Sequence, residues 1–374
     1  MRSDGQADYA KKAAAIWASE DDLDASDSRA AIADYHVSEM RKLLFTFICV
    51  VAAVVVASLS ITYGTMGIGF FDCYAIIWDH ITGNIDDKLL DYIVVDERLP
   101  RIAAALITGA GLAIAGCVMQ SVMKNPLADP YTTGISSGAG FGATLAITLG
   151  LTIVGGNYSI VVNAFVFSLV PMAIMLAVGK LKKASPTMMI MAGIAVMFIF
   201  NSFSTVLKLH ANPDALALLY SWTVGTVADC TWSEIPIMAA VTAAGIILTQ
   251  MLSRKLNILA TGDDNAKAMG LDVENMRILL LLLISLVVAT VVSFTGLIGF
   301  VGLVAPHVCR IFVGADNRYL VLSSAMFGAV LLEVADFIGR TVIAPATLQV
   351  GVVTAFIGGP MFLYLILRQK RSVW

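Results

Sequence analysis

Apolar runs of about 20 residues recur along the chain, each separated from the next by a short polar, Gly- or Pro-bearing joint. Lipid gives a backbone no hydrogen-bond partners, so a run long enough to cross a hydrocarbon layer of ~30 Å is read as helix. The pattern predicts ten spans, over residues 43–63, 101–122, 133–154, 160–180, 187–208, 234–253, 278–296, 298–313, 319–339 and 347–367, the eighth being short for a full crossing. The fold class is therefore all-α: a polytopic membrane domain over residues 41–374, with a separate segment over 1–40. In that segment an Ala-rich stretch, Ala7 to Ala18, precedes the acidic residues Glu20, Asp21, Asp22, Asp24 and Asp27. The first long apolar run begins only at Leu43, so the start is not patterned as a signal peptide and is read as a cytoplasmic extension.

Composition agrees with this picture: 58% of the 374 residues are hydrophobic and 14% charged, which is too apolar for a water-soluble domain of this size. Charge adds an orientation. With the N-terminus inside, 19 of the 24 Lys and Arg fall on the cytoplasmic side, and Lys88, Arg98, Arg101, Lys208 and Arg340 fall outside. Basic residues near span ends are retained in the cytoplasm, so the asymmetry predicts a multi-pass protein of the cell membrane with both termini cytoplasmic. Cys49, Cys73, Cys117, Cys230 and Cys309 have neither zinc-ligand nor redox spacing. There is no phosphate-binding loop; Gly179 and Lys180 form the nearest string and lack the leading glycine and the hydroxyl residue. No catalytic residues, resident metal or nucleic-acid partner are indicated. Uphill transport by such a chain needs a partner.

A few features stand out against the apolar background. Glu333 and Asp336 lie one helical turn apart, and Arg340 is four residues beyond Asp336, in register for an ion pair. They are also the nearest thing to ion-coupling groups. His307 follows Pro306 and is read as the neighbour of a kink, not as a ligand. In Glu97-Arg98-Leu99-Pro100-Arg101 the arginines disobey the inside rule and are expected at a helix N-terminus, where the dipole opposes them. Docking of another protein's carboxylates and snorkelling to lipid phosphate both explain them, since a guanidinium grips an oxyanion with two parallel bonds. The inner segment 254–277 is longer than a simple joint. Thr261-Gly262-Asp263-Asp264 supplies a helix start and Gly270 a stop, with Ala266, Ala268 and Met269 expected on its exposed side. Small residues at every fourth position (Gly134, Gly138, Gly142; Gly351, Ala355, Gly359) suit close helix packing.

These residues resemble the FecCD or BtuC-like permease subunits of type II ABC importers. The resemblance runs from about residue 43 to the C-terminus. It rests on Arg98-Leu99-Pro100-Arg101, on Gly109-Ala110-Gly111-Leu112-Ala113-Ile114-Ala115-Gly116 with Met119-Gln120, on Asn125-Pro126-Leu127-Ala128-Asp129-Pro130 and on Gly134-Ile135-Ser136-Ser137-Gly138-Ala139. Further matches are Gly299-Phe300-Val301-Gly302-Leu303-Val304-Ala305-Pro306-His307, Ala335-Asp336 and Val350-Gly351-Val352-Val353-Thr354-Ala355.

The resemblance implies ten helices, a second permease copy forming a homodimer around the path, and two ABC ATPase subunits below that bind the ATP and Mg. It also implies an extracytoplasmic binding protein that delivers an iron-siderophore, haem or cobalamin. That protein's glutamates would meet Arg98, Arg101 and Arg340. Leu259, Gly262, Asp263, Ala266, Met269, Gly270 and Leu271 fall in the implied ATPase-coupling segment, and Ser185, Pro186 and Thr187 at the implied cytoplasmic gate. Here Pro186 stands where the vitamin B12 transporter has a hydroxyl residue, and the N-terminal extension is unusual for the family. The expected mechanism is alternating access through a broad, weakly binding passage. The competing readings are an ion-driven secondary transporter using Glu333 and Asp336, and a receptor that only docks a ligand protein.

Overall fold

The computed structural model describes residues 37–64, 66–182 and 186–368. Residues 1–36 of the expected extension and Ser185 of the expected gate lie outside the described residues.

The chain's first third holds more helix than the apolar runs predict. Helix α1 (Val37–Thr62) is followed by α2 (Phe70–Thr82), which stops on the left-handed Gly83. Asp87 then caps α3 (Lys88–Asp91) by accepting hydrogen bonds from the Leu89 and Leu90 amides. A π-helical stretch, Tyr92–Arg98, leads directly into α4 (Leu99–Met123). The result is one continuous helix from Lys88 to Met123, 36 residues, or about 54 Å at 1.5 Å per residue. That exceeds a bilayer core of ~30 Å. The second span thus begins long before residue 101, and Arg98 and Arg101 sit inside the helix, not at its N-terminus. The expected clash with a helix dipole disappears with that correction.

After a 3₁₀ turn at Pro130–Thr133 come α5 (Ile135–Leu149), α6 (Ser159–Lys182) and α7 (Pro186–Leu209). Helix α5 has 15 residues, about 22 Å of rise, too short to cross unaided. Helix α8 (Pro213–Val224) starts on an Asn212 cap with Pro213 in its first turn, and lies in a stretch the hydrophobic pattern left unassigned. Next are α9 (Ile235–Ala260), the six-residue α10 (Asp263–Ala268) and α11 (Val273–Thr295). Helices α12 (Val301–Val313), α13 (Asn317–Thr341) and α14 (Val350–Arg368) complete the described chain. Among the described residues seven helices are long and apolar enough to cross a membrane, and α5, α12 and α14 supply shorter apolar ones, matching the ten predicted spans in place.

Helix α4 is the axis of the bundle. Twenty consecutive or near-consecutive positions from Pro100 to Met123 are buried, because small residues let neighbouring backbones come close. A Cβ on Gly109 would strike the Gly328 carbonyl of α13, and one on Gly116 would strike Gly302 of α12. The predicted small-residue ladder on α5 packs likewise: Gly138 and Gly142 face the Phe167 and Asn163 carbonyls of α6. On α14, Gly351 meets Val224 but Gly359 meets nothing closer than the Phe300 ring, so that ladder packs only at its first step. Helix α1 lies at the periphery, with Phe45 stacked on Phe312 and the Thr46 and Ser323 hydroxyls bonded at 2.7 Å.

Candidate functional sites at the two ends of the central helix

At one end of α4, two arginines close the C-terminus of α1. The last carbonyls of a helix have no partners within it, and they carry its negative dipole end. Arg98 answers this by donating from Nη1 to the Ile61 carbonyl at 2.6 Å and to that of Thr62 at 3.1 Å, and from Nη2 to that of Met66 at 2.7 Å. Arg340, on α13, donates to the Ser60 and Tyr63 carbonyls, each at 3.1 Å, and to the Ser60 hydroxyl. Its Nε also lies 3.0 Å from Asp336 and its Nη2 3.8 Å from Glu333. Asp336 receives Arg101 as well, through Nε and Nη2 at 2.8–3.1 Å, a two-pronged grip that ties α4 to α13. The predicted Asp336–Arg340 pair is thus present and extended by Arg101.

The three arginines share one mouth of about 310 Å³, lined also by Tyr63, Glu97 and Thr347. They are not equally available. The side chains of Arg98 and Arg340 are buried, while Arg101 keeps 15% of its side chain exposed. Arg98 is bonded to carbonyls, and among the described residues no carboxylate lies within ion-pair distance of it, so its charge raises the potential of the mouth. Val95 lies in the π-helical stretch that ends at Arg98, and the Trp232 indole N–H donates to its carbonyl at 2.8 Å.

At the other end, Lys124 caps α4 in the left-handed conformation, φ 49°. Its Nζ reaches Asp263 Oδ1 at 2.6 Å, and Arg277 of α11 reaches both oxygens of the same carboxylate at 2.9 and 3.0 Å. Partial burial would raise the Asp263 carboxyl, but hydrogen bonds from Lys124 and Arg277 outweigh it and hold the group below its ordinary range. Helix α10 starts at Asp263 after Gly262 and stops at the left-handed Gly270, as the spacing predicts. Its exposure differs from expectation at one place. Ala266 is fully buried, as is Leu259, and both belong to the chain's own core. The outward surface is made by Asp264, Lys267, Ala268 and Met269, the last 63% exposed. Leu271 and Gly262 are half-buried and Gly270 is exposed. A cleft of about 260 Å³ beside α10 is lined by Lys180, Asp263, Lys267, Glu274 and Arg277.

A second polar joint near this end was not visible in the sequence. Asn257 accepts from the Asn317 side-chain and backbone amides at 2.9 and 2.8 Å, and donates to Asp316 at 2.7 Å. Burial alone would raise Asp316, yet Arg318 and Asn257 hold it down to about 2. Asn residues on separate spans carry no spacing signal, so only contact reveals them. Of the expected gate, Pro186 and Thr187 form the first turn of α7. His307 follows Pro306 inside α12, and no group of three potential metal ligands occurs among the described residues.

The chain is similar to an ABC transporter permease protein of Methanocaldococcus jannaschii, with 39% identity over 293 residues, 76% of this chain and 84% of that one. It is 33% identical over 283 residues to the hemin transport system permease protein HmuU of Yersinia pestis, covering 75% of this chain and 85% of the relative. A solved metal-chelate type ABC transporter in an inward-facing conformation superposes with a TM-score of 0.76 at 27% identity, over 87% of this chain and 99% of that one. Residues 48–368 match the FecCD transport family, and with ten apolar helices in the predicted places the chain belongs to that family of membrane permeases.

Proposed function

We propose that this chain is the permease of an ATP-driven importer of an iron chelate, a ferric siderophore or haem. It would act as a homodimer with two ATPase subunits and an extracytoplasmic binding protein, with its own termini in the cytoplasm. The observation that carries the reading is α10, a short helix fixed at its start by Asp263 and presenting Lys267, Ala268 and Met269 outward, as a helix seated in a partner's groove requires. The chain has no phosphate-binding loop of its own, so ATP and Mg would be bound by that partner. The names of the relatives, a hemin system and a metal-chelate transporter, support iron chelate or haem over cobalamin as cargo.

The three-arginine mouth is the proposed docking point for the binding protein's carboxylates. Arg101 would make the direct contact, because it alone of the three keeps exposed side chain. Arg98 and Arg340 would contribute charge while holding the end of α1. In the ion-coupled alternative, Glu333 and Asp336 carry protons. Their engagement with Arg340 and Arg101 favours a structural role.

Reconstitution in vesicles tests the reading. Uptake of haemin or of a ferric hydroxamate should require ATP, the ATPase and the binding protein together. Uptake that continues without the ATPase and collapses with the proton gradient would overturn it.

A further inference from the structure

Helix α4 links the two proposed contact sites. Its outer part bears Arg101, gripped to Asp336, and its other end bears Lys124, bonded to the first residue of α10. Between them Gly109 and Gly116 lock its backbone against α13 and α12 without room for a Cβ, so its two ends shift together. Arg277 anchors Asp263 to α11, the next long helix in the chain. Lys124 is a tie of another kind, because it reaches α10 from 139 residues away in sequence.

The conformation of Lys124 points the same way. The Lys124 N–H and the Asn125 N–H both bond the Gln120 carbonyl, closing the helix with a left-handed residue. Glycine is the least strained residue at such a cap, and a Lys there is held in a sparsely populated region. Among the described residues only Lys124 and Phe300 are non-glycine with positive φ. A side chain kept at a position that favours glycine implies use of that side chain.

We propose that Lys124 is a positioning residue: through Asp263 it sets the seat of α10 from the end of α4. Displacement of α4 when the outer mouth is engaged is then passed to the surface that faces the ATPase. The inference rests on the functional reading above and deepens it, since it names the contact through which binding-protein engagement would reach ATP hydrolysis.

The test uses the complete transporter in vesicles and measures ATP hydrolysis with and without a saturating excess of purified binding protein. Lys124→Gly fits the left-handed cap and removes the ammonium group, so folding yield should stay at the wild-type level. The stimulated-to-basal ratio should fall about fivefold, the lower end of ordinary coupling between sites. Lys124→Arg, which can still reach Asp263, should keep the ratio. An unchanged ratio in Lys124→Gly overturns the proposal, and so does equal loss in Lys124→Gly and Lys124→Arg. A wild-type complex that shows no stimulation overturns the functional reading itself and this proposal with it; a stimulated wild type with an unaffected Lys124→Gly overturns the proposal alone.

Discussion

The two ends of α4 handle charge in opposite ways. At the arginine-lined mouth three cations are drawn inward: Arg98 and Arg340 are buried and bonded to the carbonyls that end α1, and Arg101 and Arg340 together neutralise Asp336. At the other end a single partly exposed carboxylate, Asp263, gathers two cations and starts a helix that buries Ala266 against the bundle and turns Lys267 and Met269 outward. The first arrangement resists change, because breaking a buried pair strands a charge in a poor solvent. The second sits near water, where an ion pair fixes position more than it adds stability.

The contrast can be broken first where it is strongest. Replacing Arg340 by Ala should be the most destabilising of these changes, by about 3–5 kcal/mol, since Asp336 loses one partner and Glu333 the cation nearest it. Thermal unfolding in detergent reads this, and a variant as stable as wild type would show that the arginine network is not structural. Gly116→Ala should follow at about 1–3 kcal/mol, because its methyl group would overlap Gly302 and push α4 off α12. The same unfolding assay applies, and Gly302 offers no side chain that could move aside.

At the Asp263 end the effects on stability should be small and those on partners larger. Asp263→Asn removes a carboxylate whose folded-state pKa lies below its unfolded value, so its stabilising contribution is complete above the ordinary carboxylate range. It is lost as pH falls through the lowered folded value. Wild type should therefore exceed Asp263→Asn by a constant margin at neutral pH, and the margin should close only in acid below about pH 4. A margin that closes near pH 7 would mean the carboxylate is not held as described. Met269→Ala should leave stability within about 0.5 kcal/mol, as for any exposed position. Under the proposed function it should still lower ATPase co-purification, and undiminished yield would remove Met269 from the coupling surface.

The spans were legible because lipid imposes a single rule: about 20 apolar residues must be helix. The start and stop of α10 were legible too, since Gly262, Asp263 and Gly270 are local signals that act through a few adjacent residues. Helices α2 and α8 carried comparable signals, Gly83 after the one and Asn212-Pro213 before the other, but as short elements outside the long apolar runs they escape a reading built on hydropathy. The π-helical entry into α4 has no pattern of its own, so Arg98 and Arg101 read as the start of a helix that in fact began at Lys88.

By itself the sequence determined the solvent of this protein, the number and places of its apolar helices, and the membership that its ordered motifs announce. Those are properties of composition and local order. Only the tertiary structure decided which charges meet: Arg101 with Asp336 across 235 positions, Lys124 with Asp263 across 139, and Arg98 with the end of α1 instead of with open solvent. Local propensity gives no information about contacts at such separations. They follow from how the helices pack: Gly109 brings α4 against Gly328 of α13, the helix that carries Asp336.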